Sequence, residues 1–307
     1  MNIVSGNCAG TFSGFLAQMA WMETADKNPE INLTLHTRNK THYPGNSYSN
    51  YRWFSSADCN NIDEVVGENI LFDFFEPNEY MTKEYPEEFT YFETYPADIK
   101  DQFSNYPEDT LKYDGRGSKK EQYTDTEFFN NTRVALNRQW NKFTFTDRMK
   151  KLIAEEEKLI EGKKVMTLML RHSEHYAGAT KGYKLGGPAV MENAIRCVKE
   201  RIDDYDAILL TTLIQPFVDQ FRDMFGDRLI TTNRDRFPID IDWKGGRYTQ
   251  EPMTNAEYDT EYQNAFLDVI LTSKTDLAIG SSSNMFLASM CMNPKLKYEM
   301  FVIADGC

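Results

Sequence analysis

The chain has 307 residues, of which 41 % are hydrophobic and 13 % aromatic, and its formal net charge is −13. Length and apolar content fit two ordinary domains and exclude a disordered or fibrous chain. The acidic balance opposes a phosphate backbone, so no nucleic-acid partner is expected, although a small phosphorylated ligand needs only a local positive site.

No window approaches eighteen consecutive apolar residues, which predicts no membrane span. The opening MNIVSGNCAG lacks a basic segment followed by a long apolar one, so no signal peptide is expected and the expected location is cytoplasmic. The five cysteines, at 8, 59, 197, 291 and 307, include no CxxC and predict reduced thiols in such a compartment. Sequons at Asn32, Asn39 and Asn130 read as chance matches without a secretory signal.

In chain order, MNIVS predicts a first strand and GNCAG a small-residue loop. A helix follows, with Phe12, Phe15, Leu16, Met19 and Met22 at helical spacing. INLTLHT (31–37) predicts a second strand. Residues 40–130 are rich in Tyr, Phe, Asn, Asp and Glu with weak periodicity. They predict short elements such as Val65–Phe75 and irregular chain with a tip near 115–120. From about residue 145 the pattern is regular. Thr146 can cap a helix that stops at Gly162, before the strand KVMTLML. Pro188 opens a helix, DAILLTT (206–212) is a strand, and a further helix is closed by Gly226. LITT (229–232), a long helix over 255–274, DLAIG, the helix NMFLASMCM and KYEMFVI (297–303) complete the alternation. Apolar strands alternating with helices predict an α/β, parallel, doubly wound sheet. The domain boundary is expected near residue 145.

Ligands of open α/β sheets bind outside the carboxyl ends of the strands, and three polar stretches fall there. In SGNCAGTFSG, Gly6, Gly10 and Gly14 permit close backbone approach, and the helix start offers free N–H groups; a plain strand–helix turn explains the same residues. LRHSEHY follows the apolar run 165–169. Arg171 can grip a phosphate with two parallel charge-assisted bonds, or pair with Glu174 on the surface. His172 and His175 are three apart, but no third ligand is apparent, so no metal site is expected. In DLAIGSSSN the serine hydroxyls and the helix start can hold an anion, although one serine suffices as a cap. Asp268 lies on the helix before that strand, where an Asp is ordinarily solvated.

Taken together, these stretches resemble the GDP-fucose-dependent fucosyltransferases of GT-B type, in particular the nodulation and α1,6-fucosyltransferases and the protein O-fucosyltransferases. The resemblance spans most of the chain and is firmest over 163–294. It implies two Rossmann-like domains facing across a cleft: 1–145 on the acceptor side and 146–307 for the nucleotide sugar. Arg171 matches the arginine that holds the donor's β-phosphate, and Asp268 the carboxylate that accepts hydrogen bonds from the guanine edge. Ser282 and Ser283 match the serines at the phosphates. Gly6, Asn7, Cys8, Ala9 and Gly10 match the loop that closes over the donor.

The family's strand-end His-x-Arg-Arg-x-Asp reads Met169-Leu170-Arg171-His172-Ser173-Glu174 here. Its guanine-reading histidine is thus Met169, its second arginine His172 and its Asp Glu174. An ATD-type strand end becomes Leu210-Thr211-Thr212, without the Asp, and the chain ends soon after the last strand, where GT-B enzymes return a helix to the first domain. The resemblance implies inverting, metal-independent fucosyl transfer from GDP-fucose to a glycan or protein hydroxyl, with no cofactor. Arg171 would stabilise the departing diphosphate, and Glu174 or His172 would be the local candidates for the base, unless it lies in the N-terminal half. The departures leave open another nucleotide sugar as donor, or a nucleotide- or glycan-binding protein without turnover.

Overall fold

The computed structural model describes residues 1–6, 11–37, 69–82, 84–92, 126–170, 188–236, 255–280 and 283–300. The chain divides into two compact units. The first comprises 1–46, 50–150 and 254–263, and the second 47–49, 151–253 and 264–307.

The first unit is built on strand β1 (Asn2–Ser5), which pairs in parallel with β2 (Asn32–Leu35) on one side and β3 (Thr90–Phe92) on the other. Between β1 and β2 runs helix α1 (Thr11–Lys27). Its Phe12, Phe15, Leu16, Met19 and Met22 are buried as their spacing predicts, but Ala20 and Trp21 are too, so the helix is enclosed on most sides. A short helical turn, α2 (Leu71–Phe74), lies within the expected Val65–Phe75 element. Phe75 anchors an aromatic core, its ring 5.7 Å from Phe15, 4.8 Å from Phe143, 5.2 Å from Phe145 and 6.0 Å from Trp140.

Two elements of this unit depart from expectation. β3 and helix α3 (Thr126–Trp140) are regular where weak periodicity predicts irregular chain. The stripe α3 buries includes Thr132, Arg133 and Gln139 beside Phe129 and Leu136, so half of it is polar. That polarity is matched by charge. Gln139 donates to Glu23 Oε2 (2.7 Å) and Asp26 Oδ2 (2.8 Å), and Arg138 pairs with Glu23. Periodicity in hydrophobicity does not register such a face.

Helix α4 (Asp147–Glu157) begins at the expected cap, with the Met149 N–H donating to Thr146 Oγ1 (3.4 Å), and the chain turns at Gly162, whose φ is +70°. The second unit then alternates as its sequence predicts. β4 (Val165–Met169), α5 (Pro188–Lys199), β5 (Ala207–Thr211), α6 (Gln215–Phe225) and β6 (Leu229–Ile230) are followed by α7 (Asn255–Ser273), β7 (Leu277–Gly280), α8 (Asn284–Met292) and β8 (Lys297–Met300). α6 stops at Gly226, φ +55°, a conformation that a side chain disfavours. All pairings are parallel, in the order β6-β5-β4-β7-β8. β4 and β5 are buried at every position because both faces are covered. Met166, Leu168 and Leu170 face Ala194, Val198, Val218 and Phe221 of α5 and α6, whereas Val165, Leu209 and Ile230 pack with Leu271 of α7. Cys291 is buried and outside any disulfide, but Cys197 is disulfide-bonded, which corrects the expectation of reduced thiols throughout.

Candidate functional site

Counted from β4, the strand order of the second unit is 3-2-1-4-5, the order of a nucleotide-binding α/β half. The chain winds away from β4 in both directions, to β5 on one side and β7 on the other. In open sheets of this order, ligands bind outside the carboxyl ends of the strands at this switch point. The two stretches singled out around Arg171 and Ser283 leave from these two strands.

Met169, the last residue of β4, sits opposite Gly280, the last of β7. Position 280 favours glycine because there is little room for a side chain. A Cβ there would lie 2.7 Å from Cδ2 of Phe286, a fully buried ring. Ser283 then caps α8, accepting from the Phe286 N–H (3.2 Å), while its hydroxyl lies 3.9 Å from the Met169 sulfur. The helix start thus hangs over the end of β4 with first-turn N–H groups available to an anion. Nearby, the Thr211 hydroxyl and Asn284 Oδ1 are buried with no hydrogen-bond partner among the described residues. At the opposite end of the sheet the strand starts are satisfied. Asp206 accepts from the Lys164 N–H (2.7 Å) and Asp276 from the Val165 N–H (2.8 Å). Unmet polar capacity is thus found at the carboxyl ends.

A second polar group stands beyond β6. Asp268 is 2 % exposed, contrary to the solvated position ordinary for a helical Asp. Thr232 donates to its Oδ1 (2.9 Å) and the Arg234 guanidinium to its Oδ2. The pair is buried on both sides. Arg236 donates to the carbonyls of Thr232 (2.8 Å) and Arg234 (3.2 Å), pinning the loop that carries them. Burial lowers the Arg236 pKa, which Asp268 opposes and Arg234 and Arg222 reinforce. Burial also raises the Glu156 carboxyl, opposed by the Asn233 backbone hydrogen bond, with the Asp268 charge adding to the rise and Arg236 countering it.

In the first unit the buried Gly6 follows β1. The strand ends here are clamped by Gln18 from α1. Its Nε2 lies 3.2 Å from the Ser5 carbonyl, 3.3 Å from the His36 carbonyl and 3.0 Å from Thr37 Oγ1. Asn69 ties the same segment through the Leu35 carbonyl (3.0 Å) and the Thr37 N–H (3.1 Å). His36 is buried against the Tyr85 hydroxyl (2.5 Å). Burial raises the Tyr85 pKa, with a hydrogen bond to Asn69 opposing.

Of the expected site residues, Gly6, Asp268 and Ser283 are placed, and Ser283 meets Met169. Asn7, Cys8, Ala9, Gly10, Arg171, His172, Glu174 and Ser282 lie outside the described residues, as do the tip 115–120 and 301–303 of the last expected strand. Arg234, Arg236, Thr232 and Gln18 were not singled out by spacing or motif. For the arginines the available signal was TTNRDR directly after an apolar strand. Among the described residues no group of three or more His, Cys, Asp or Glu could hold a metal ion, and no helix is long and apolar enough to cross a membrane.

No protein-family model matches the sequence, and no curated protein does. Solved structures do match. A NodZ α-1,6-fucosyltransferase soaked with GDP-fucose is 14 % identical with a TM-score of 0.51, over 99 % of this chain and 96 % of its own. The fucosyltransferase NodZ from Bradyrhizobium is 11 % identical with a TM-score of 0.53, over the same shares. NodZ co-crystallised with GDP is 12 % identical at a TM-score of 0.51, over 95 % of this chain and 92 % of its own. The chain has the α/β fold of these fucosyltransferases.

Proposed function

We propose that the protein is a glycosyltransferase that moves a fucosyl group from GDP-fucose to a hydroxyl of a glycan or protein, with inversion and without a metal. The observation that carries this reading is the corner where the ends of β4 and β7 meet the start of α8. There a capped helix start and unpartnered buried polar atoms stand at the switch point of a nucleotide-binding sheet, within a fold shared with GDP- and GDP-fucose-bound NodZ.

In this reading the diphosphate lies against the α8 start, held by Ser283, Ser282 and Arg171, and the base lies towards Asp268. The acceptor oxygen attacks the anomeric carbon as its bond to the β-phosphate oxygen breaks, through an oxocarbenium-like transition state. The bonding electrons leave with the diphosphate, whose growing charge Arg171, the serine hydroxyls and the helix N–H groups stabilise. One such donor is typically worth about 2.7–4 kcal/mol. The acceptor proton passes to Glu174 or His172.

Calorimetric titration with GDP and GDP-fucose, without metal and then with Mg²⁺, tests the proposal. Metal-independent binding of both, followed by fucosyl transfer in an acceptor screen, is the expected result. Absence of nucleotide binding would refute it, and Arg171→Ala with wild-type turnover would remove Arg171 from the mechanism.

A further inference from the structure

Strand β5 reads Ala207-Ile208-Leu209-Leu210-Thr211, apolar until its last position, and both of its faces are covered. Valine has the shape of threonine without the hydroxyl, so at a buried position threonine is the costlier choice unless the hydroxyl finds a partner. Among the described residues of the second unit, every other buried serine or threonine hydroxyl has one. Thr167 and Thr275 meet each other (2.9 Å), Thr212 accepts from the Ile214 N–H (3.3 Å), Thr232 donates to Asp268 (2.9 Å), and those at or within α7 and α8 bond to their own helices. Thr211 is 2 % exposed and its Oγ1 has none.

The register fixes where that hydroxyl lies. Thr211 is the partner of Met169 on β4, and both stand on the face shared with Val165 and Leu209, which packs on α7. Side chains of such partners lie side by side, on strands about 4.8 Å apart. On the α8 side, the same Met169 sulfur meets the Ser283 hydroxyl (3.9 Å). Thr211 and Ser283 therefore flank one thioether at the carboxyl ends of β5 and β4, beside the start of a nine-residue helix. Ser283 takes the N–H groups of Phe286 and Leu287, which leaves those of Asn284 and Met285 without an acceptor inside the helix. The Asn284 amide offers a further donor or acceptor as it turns, and the thioether is only a weak acceptor. Donors thus prevail at this corner, and an oxygen-rich anion is the ligand that suits them.

We infer that Thr211 is a ligand contact: its hydroxyl, unpaired in the free protein, donates to a phosphate oxygen of a nucleoside diphosphate seated at the α8 start. This inference rests on the nucleotide-sugar reading above and adds to it a contact on β5. A hydroxyl held for a ligand differs from a packing residue in two ways at once. Its removal stabilises the free chain and weakens the complex.

Thr211→Val, which keeps the shape, and Thr211→Ser, which keeps the hydroxyl, test this on the full chain by scanning calorimetry and by titration with GDP. Without nucleotide, Thr211→Val should melt at least about 2 °C above wild type. It should bind GDP about 10- to 150-fold more weakly, the worth of a hydrogen bond to a charged group. Thr211→Ser should recover most of that loss. A Thr211→Val protein that melts at or below wild type overturns the inference, because the hydroxyl is then already bonded in the free chain. A smaller loss of affinity, or a serine variant as weak as the valine one, overturns it too. No GDP binding by the wild type overturns the nucleotide reading itself and the contact with it. Wild-type binding that Thr211→Val leaves unchanged overturns the Thr211 contact alone.

Discussion

Gly280→Ala tests whether the end of β7 is packed against α8 as tightly as its contacts indicate. The backbone there is not left-handed, so an alanine can adopt it. By that criterion alone the substitution should stabilise, by about 0.4–1 kcal/mol, because it removes freedom from the unfolded chain. The contacts say otherwise. The new Cβ would lie 2.7, 3.0 and 3.2 Å from three carbons of the Phe286 ring, where carbon atoms rest at about 3.5–4.0 Å. The ring must retreat by roughly 1 Å, and Phe286 is fully buried in a close-packed interior. Overpacking of this kind costs about 1–3 kcal/mol. The net expectation is destabilisation by about 1–2 kcal/mol, lowering Tm by about 2–8 °C, taking 2–4 °C per kcal/mol for a domain of this size. Scanning calorimetry of Gly280→Ala, Phe286→Leu and the double variant measures it. The smaller side chain at 286 should relieve the clash, so the double variant should lose less than the two singles combined. A Gly280→Ala protein melting at or above wild type, or strictly additive losses, would refute the packing argument.

In the first unit, Phe75→Ala should cost about 3–5 kcal/mol, because it removes the ring at the centre of the Phe15, Trp140, Phe143 and Phe145 cluster; a loss below about 1 kcal/mol in denaturant melts would contradict this. Tyr80 donates to Asp26 Oδ1 (2.5 Å) beside Lys142, and its pKa is pushed up to about 12, by burial first and then by the Asp26 carboxylate. The folded value lies above the unfolded one near 10, so the contribution is complete below about pH 10 and is lost as pH rises towards 12. The Tm advantage of wild type over Tyr80→Phe should therefore be constant up to about pH 10 and shrink above it. An equal advantage at pH 9 and pH 11 would show that the hydroxyl does not titrate as described.

The alternation of the second unit was legible because each cue had a single local cause. Apolar runs at 165–169, 207–211 and 277–280 mark strands buried on both faces, Gly162 and Gly226 occupy positive-φ turns, and Thr146 caps a helix. Helix α3 was illegible because its buried face is made of Arg133, Thr132 and Gln139 as well as Phe129 and Leu136. Part of what makes that face buriable is Glu23 and Asp26, more than a hundred residues away.

The same reason hid Arg234. Read locally, TTNRDR is a polar turn after a strand and Asp268 is a helical carboxylate with water to face. Only when β6 is laid at the sheet edge beside the helix that precedes β7 does the pair form, 34 residues apart in sequence. A motif can carry Asp268 over from relatives by spacing, because spacing along one helix and strand is local. It cannot say which side chain from another loop will lie across the carboxylate. A contact between segments such as this one is absent from any local pattern, whereas the cap at the start of α8 is made within one segment. That difference is why the Ser283 corner could be anticipated from SSSN, and why the burial of Asp268 against Thr232 and Arg234 emerges only in the folded chain.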